Sequence, residues 1–376
     1  MRTRESHPFS IMDGYVPLRN GEIRLYRAIR EAVPAIDAAV VKLIRLTGGV
    51  TVKCSNVAVE KKMQRFLSAV PVGRGQRGIN AFLDQYVDSM ITCGRGIGEI
   101  VLTSGKNVGA LLCGDPEKIS IKEGESPLDM KICMPDDTGK MQELPYQELL
   151  LFTPYNPEAA NPYGVSMLRS MPFLADVLMK IYNAVGVNWD RAGNVRFAVT
   201  YKPKSDGDRT MAKERAEQIA KEWSSAMQSV KSGAVKDFVA VGDVDIKVIG
   251  ADGQILDSEV PVRQIMEQLI ARTGIPPFML GFSWSSTERM SAQQADILTS
   301  EITAMRRTLE PMVEKICDMW LRLNGYSCDY ELVWEDINLQ DETEEAHAEL
   351  YRAEAEYYLA QAQQIKKEMG EKDEGN

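Results

Sequence analysis

Nine apolar residues, Ala295, Leu298, Ile302, Met305, Leu309, Met312, Ile316, Trp320 and Leu323, recur at a mean spacing of 3.5 over 28 residues. That period holds one stripe along one side of a long helix, a seam of the coiled-coil type, which must lie against something equally long. Pro311 interrupts it and is expected to kink the rod by removing one hydrogen bond at Arg307. From Leu168 a second stripe runs through Met171, Leu174, Leu178, Ile181, Val185 and Trp189 in steps of three or four. It predicts a helix from Val165 to Ala192, about 42 Å long. The apolar faces of two such rods exceed what one chain of 376 residues easily covers, so neighbouring copies are expected to bury part of them.

Between the rods the pattern changes. "VRFAVTY" alternates as a half-exposed strand does, and "AVKDFVAV" and "DIKVIG" read as further strands. The helix between them carries Ala216, Ile219, Ala220, Trp223, Met227 and Val230 on one face. Residues 195–256 therefore form a small α/β lobe. The chain leaves it through a helix with Ser258 as N-cap, Pro261 in the tolerant first turn, and Val262, Ile265, Met266, Leu269 and Ile270 on one face. Gly274 offers a left-handed C-cap, and Pro276 with Pro277 forbids continuation. Upstream, residues 22–150 mix two helical pieces split at Pro34 and closed by Gly48 and Gly49, helices near 57–69 and 78–92, and strands at "VTVKCS", "GEIVLTS", "VGALLCG", "KISIKE" and "MKICMPD". That is an α+β module. "YSCDYELVWED" returns as a strand after the second rod, and a last helix opens at Asp341-x-x-Glu344.

Most classes of chemistry find no support. Histidines number two, His7 and His347, and neither sits in a metal-ligand or triad pattern. The six cysteines never form a C-x-x-C pair and read as reduced thiols. Gly94-x-Gly96-x-Gly98 leads into "EIVL", a strand, whereas a phosphate loop must open a helix, so a glycine-permitted turn is expected. "GRGQRG", residues 73–78, reads as an inter-helix loop with two arginines that could touch a phosphate. No catalytic residue, metal or cofactor is predicted, and the longest apolar runs are too short for a membrane span. The N-terminus has no apolar stretch of the secretory type and reads as a polar arm. The formal charge is -10, opposite to that of a protein gripping many phosphates. Residues 341–376 hold 11 acids against four bases.

The order of these parts resembles the portal proteins of tailed bacteriophages, in their compact, HK97-like form. "NPYGVSML" ahead of a long apolar helix, the small lobe, "IARTGIPPFMLG", a polar loop and a long helix containing "TLEPMVEKI" carry the resemblance, from about residue 150 to 340. It implies a mainly helical α+β subunit: an N-terminal arm (1–21), a wing (22–164), a first stem helix (165–194), an α/β clip (195–256), a second stem helix (257–274), a tunnel-loop region (275–290), a long wing helix with its returning strand (291–340), and a short crown helix with an acidic tail (341–376). The tunnel loop would comprise Phe282, Ser283, Trp284, Ser285, Ser286, Thr287, Glu288 and Arg289, with Trp284, Glu288 and Arg289 nearest to DNA or a neighbouring loop. The resemblance further implies a ring, typically of about twelve copies, at a capsid vertex of the virion, assembled in the cytoplasm of an infected bacterium. Its partners would be itself, double-stranded DNA passing through the channel, the terminase large subunit, a head-tail adaptor and the major capsid protein, with no membrane. An acidic bore suits passage, since each neutralised phosphate would hold the duplex. A ring-forming adaptor or scaffold without a DNA channel is the alternative, and an oligomeric enzyme a third class without supporting residues.

Overall fold

The computed structural model describes residues 21–337, apart from 106, 125, 127, 128, 137, 160, 194, 195, 202–211, 232–243, 250–257 and 283–287, and beyond 337 only 354, 357, 358 and 361. The arm, the strand expected at "AVKDFVAV", the Asp341 cap and most of the expected crown lie outside the described residues. The chain divides into two compact units, one of residues 1–175 with 266–376 and one of residues 176–265.

The first unit begins with α1 (Gly21–Ala32) and α2 (Pro34–Thr47). Pro34 opens the second helix at a position that needs no amide donor, so it divides two helices and does not kink one. Gly48 closes α2 at φ 70°. Strand β1 (Val50–Cys54) pairs antiparallel with β12 (Tyr330–Trp334), which joins the N-terminal module to the end of the second rod. The outer edge of β1 is closed by side chains: the Val50 N–H donates to Asn80, the Cys54 N–H donates to Glu60, and Gln64 donates to the Val52 carbonyl. These bonds satisfy an edge that would otherwise invite another strand.

Helix α3 (Val57–Ala69) is capped by Asn56, whose oxygen accepts from the Ala58 amide at 2.9 Å. A hairpin of β2 (Pro71–Val72) and β3 (Gln76–Arg77) follows, then α4 (Ile79–Cys93). "GRGQRG" is thus the far side of a hairpin with its turn, where a plain loop was expected. Strands β4 (Arg95–Leu102), β5 (Val108–Cys113) and β9 (Leu150–Pro154) form an antiparallel sheet in the order β5-β4-β9; β6 (Ser120–Glu123), β7 (Met130–Pro135) and β8 (Met141–Glu143) form another. Of the Gly94-x-Gly96-x-Gly98 run only Gly94 makes the expected turn, as the C-cap of α4; Gly96 and Gly98 lie inside β4, where packing gives the reason for glycine. Gly94 adopts φ 83°, and a Cβ on Gly96 would stand 2.4 Å from the buried Tyr86 ring.

The helix expected from Val165 begins at Pro172. Val165 and Ser166 instead dock beside Gly94: the Val165 N–H donates to Tyr155 at 2.7 Å, and the Ser166 hydroxyl donates to the Thr92 carbonyl at 2.7 Å. A short 3-10 turn, Met167–Ser170, comes next, and α5 (Pro172–Gly193) then runs about 33 Å. The second unit contains most of α5, β10 (Arg196–Tyr201) paired antiparallel with β11 (Val244–Ile249), and α6 (Ala212–Lys231). Helix α7 (Glu259–Thr273) leads back into the first unit.

The long helix α8 (Glu288–Leu323) starts three residues earlier than expected. Seven of its nine seam residues are buried, and Met305 and Leu323 are half-buried. Val313, Cys317 and Leu321 are buried as well, which makes the face wider than a coiled-coil seam. That face fills the main core with Val40 and Leu43 of α2, Met63 and Leu67 of α3, and Phe82 and Met90 of α4. The seam itself is therefore covered by its own module, while Ile297 and Met290 of α8, off the seam, are 64% and 46% exposed. Pro311 faces outward on the exposed side. Along α5 the outcome is different: Ala175 and Leu178 are buried, as is Met171 just before it, whereas Tyr182 is 47% and Trp189 63% exposed.

Candidate functional site

The segment from Thr273 to Met290 joins two helices that the core holds firmly. At its start, the Thr273 hydroxyl donates to the Ile270 carbonyl at 2.7 Å and accepts from the Ile275 N–H at 3.2 Å, so helix and exit are tied by one side chain. Gly274 takes φ 72°, the left-handed C-cap expected from "TGIPP". Arg272 donates to the Met167 carbonyl at 3.1 Å, and Ile275 is buried in the main core. Pro276 and Pro277 then introduce a 3-10 turn, Pro277–Leu280, closed by Gly281 at φ 81°. The Phe282 N–H donates back to the Pro277 carbonyl at 3.1 Å, while Met279 and Leu280 pack against the core.

Of the eight residues expected in a tunnel loop, Phe282 is half-buried at the end of this turn. Ser283, Trp284, Ser285, Ser286 and Thr287 lie outside the described residues. Glu288 and Arg289 are the first two residues of α8, not part of the loop proper.

Farther along α8, 18 residues past its first residue, a buried arginine ties the helix to the rest of the first unit. Arg306 is buried within α8; its Nε donates to the Thr47 carbonyl at the C-terminus of α2, at 2.9 Å, and its guanidinium lies 5.4 Å from the centre of the Trp334 ring. Burial pushes its pKa down, and Glu335 and Asp336 oppose that shift. The Glu335 carboxylate also accepts from the Gly49 N–H at 2.9 Å. Arg306 thus binds together the start of the chain's core module, the long helix and the returning strand. Its signal in the sequence was slight: a charge four residues after Ile302, beside an arginine at 307 that the fold leaves exposed. A second cation of α8, the half-buried Lys315, donates to the Leu150 carbonyl at 2.8 Å, and burial lowers its pKa against the pull of Glu148.

What this arrangement offers is mechanical. It holds the exit of α7 through Leu280 on a rigid base and ties the middle of α8 to α2 and β12. Among the described residues no group of three or more His, Cys, Asp or Glu is placed to hold a metal ion, and no helix is long and apolar enough to cross a membrane.

Compared by sequence, the chain matches no protein-family model and no curated protein. Compared by structure, it is similar to a chain in the virion of a native gene transfer agent particle, with a TM-score of 0.65 and 16% identity over 92% of this chain and 91% of that one. The chain shares the fold of that virion protein. The resemblance to phage portal proteins read from residues 150–340 therefore meets a fold that matches over nearly the whole chain, N-terminal module included. A chain in the neck of the native particle, computed with C12 symmetry, is similar at a TM-score of 0.56 and 16% identity, over 92% of this chain and 88% of that one. An HK97-family phage portal protein from Corynebacterium diphtheriae gives a TM-score of 0.44 and 11% identity, over 81% and 92%.

Proposed function

We propose that this chain is a portal subunit: a ring of about twelve copies at one vertex of a capsid, through which double-stranded DNA enters and leaves. The observation that carries the reading is the likeness of fold across 92% of the chain to a virion protein. The C12 symmetry of a neck containing a similar chain supports the ring, since closed rings arise from heterologous contacts whose rotation closes. The half of α5 that ends at Trp189 supports it too, because an apolar stripe left open in one copy is a surface for the next.

In this reading residues 165–194 and 257–274 act as stem, 195–256 as clip, and 341–376 as a short acidic crown. The connector from Phe282 to Arg289 faces the bore, held at its start by the Thr273 anchor, and meets the duplex or a neighbouring connector through Trp284, Glu288 and Arg289. Terminase docks on the ring to supply the ATP-driven work, and a head-tail adaptor and the major capsid protein are its other neighbours. The subunit itself performs no bond chemistry.

Electron microscopy of the purified full chain tests the proposal. Rings with a central hole wide enough for a duplex are expected; a monomer at every concentration, or a ring without a hole, overturns it, the latter in favour of an adaptor. For the connector, alanine at both Trp284 and Arg289 is expected to reduce DNA retention in assembled particles. Unchanged packaging and retention would reduce it to a plain link between helices.

A further inference from the structure

One feature of the first unit has no part in that reading. A groove of about 680 Å³ opens between α3, β1 and the β2–β3 hairpin, and its lining includes Lys61, Arg65 and Arg77 but no carboxylate. All three cations are exposed, and among the described residues none is engaged in a side-chain hydrogen bond or ion pair. Lys61 and Arg65 stand one helical turn apart on α3, where two like charges repel. Arg77 approaches from the hairpin. The nearby carboxylates are already used: Glu60 accepts from the Cys54 N–H and Glu335 from the Gly49 N–H, both at 2.9 Å. Gly78, which also lines the groove, opens α4 without any capping side chain, so positive dipole faces the same space.

We infer that this groove binds phosphate groups, as free anions or along a nucleic-acid backbone. The lining brings three exposed cations together with no carboxylate among them, and a phosphate is the ligand whose charge and acceptor oxygens answer arginine forks and an uncapped helix start together. The open form of the groove and its three separate charges favour the phosphodiester backbone over a single buried anion. The arrangement also changes the reading of "GRGQRG": Arg77 becomes a contact residue because the hairpin carries it opposite α3. The inference rests on these residues alone and stands whether or not the chain forms a portal.

The test uses the full chain, a duplex of about ten base pairs, inorganic phosphate, and polyglutamate of matched charge. Three neutralised phosphates predict a log-log salt slope near -2.7, so affinity for the duplex should fall about 40-fold between 50 and 200 mM salt. The triple variant Lys61→Gln, Arg65→Gln, Arg77→Gln should lose that binding and its slope, and each single change should reduce the slope by about one. Displacement of the duplex by inorganic phosphate supports a shared phosphate site. Binding of phosphate but not the duplex assigns the site to free anions and also upholds it. Equal affinity and slope in wild type and triple variant overturn the inference, as does tighter binding of polyglutamate that phosphate fails to displace. If the triple variant does not fold, Ser68→Asp, which places a carboxylate in the lining from an exposed position, replaces it with the same two outcomes.

Discussion

Substituting Gly96 by alanine tests the claim that the glycines of the α4–β4 junction exist for packing. An ideal Cβ there would lie 2.4 Å from Tyr86 Cε1 and 2.7 Å from Cζ. The ring cannot retreat cheaply. It is fully buried, packs at a tilt of 34° with its centre 5.4 Å from that of Phe82, and its hydroxyl donates to Thr153 Oγ1 at 3.0 Å. Overpacking of a tight core costs about 1–3 kcal/mol. Displacing a buried hydroxyl from its partner costs about 1–3 kcal/mol more. Against these stands a gain of roughly 0.5–1 kcal/mol from the reduced entropy of alanine in a strand. The net loss is about 1–5 kcal/mol, visible as a lowered urea midpoint or a lower melting temperature. Gly186→Ala provides the contrast, because nothing lies within 4 Å of its Cβ and it sits inside α5. That change should stabilise by up to about 1 kcal/mol. If Gly96→Ala matched Gly186→Ala, the packing account of the junction would be wrong.

Other outcomes follow from single contacts. Trp189→Asp, at a site 63% exposed, should leave the circular dichroism unchanged but shift the chain from ring to monomer on a sizing column. The Gln147 side chain donates to the Ile132 and Leu144 carbonyls and accepts from the Ile132 N–H, so Gln147→Ala should cost about 2–3 kcal/mol in a urea titration. Burial works to raise the Asp115 pKa, but hydrogen bonds from Arg27 and the Glu117 N–H, together with Arg27 and Lys118 charge, leave it below its ordinary value. Its contribution is therefore present at neutral pH and lost as pH falls through the depressed pKa; Asp115→Asn should flatten that part of an acid-unfolding curve. Cys317 is buried and its thiol is pushed up to about 12, so alkylation at pH 8 should require unfolding.

The parts of the fold that depend on periodicity were legible in the sequence. Helices at 57–69 and near 79–93, the long rod, and the strands beginning at Val50, Val108 and Tyr330 follow from apolar spacing, because burial on one face decides both. Short or unpatterned elements were not. Strand β9, in "ELLLF", reads as a continuous apolar run because it closes a sheet against the core, and β2, β3 and β8 are two or three residues long. The premature start assigned to α5 had a similar cause: "NPYGVSML" carries helix-spaced residues, but its Val165 N–H is committed to the Tyr155 carbonyl and its Ser166 hydroxyl to the Thr92 carbonyl, and Pro172 supplies the true first turn. At the candidate site, the stop at Gly274 and the prolines were readable from local rules. The Arg306 anchor was not, since its partners at Thr47 and Trp334 meet only after folding.

The two long helices also show why a stripe alone does not announce a partner. Each carries apolar residues at a helical spacing, and the sequence offers no means to tell which is covered at home. In α8 the buried set widens to Val313, Cys317 and Leu321, the mark of a helix built into a globular core, and the module from α2 to α4 fills it. In α5 burial fades along the helix, from Leu178 at 0% exposed to Trp189 at 63%. On the portal reading proposed above, the surface for a neighbouring copy therefore includes the second half of α5, whereas the seam of α8 is covered at home. A substitution that weakens assembly without unfolding the chain should accordingly be found at Tyr182, Val185 or Trp189. Ile302, Leu309 and Ile316, each 0% exposed, should instead destabilise the chain itself when cut to alanine, by about 2–5 kcal/mol. Assembly lost at the first group and stability lost at the second would separate the two roles. The reverse assignment would refute it.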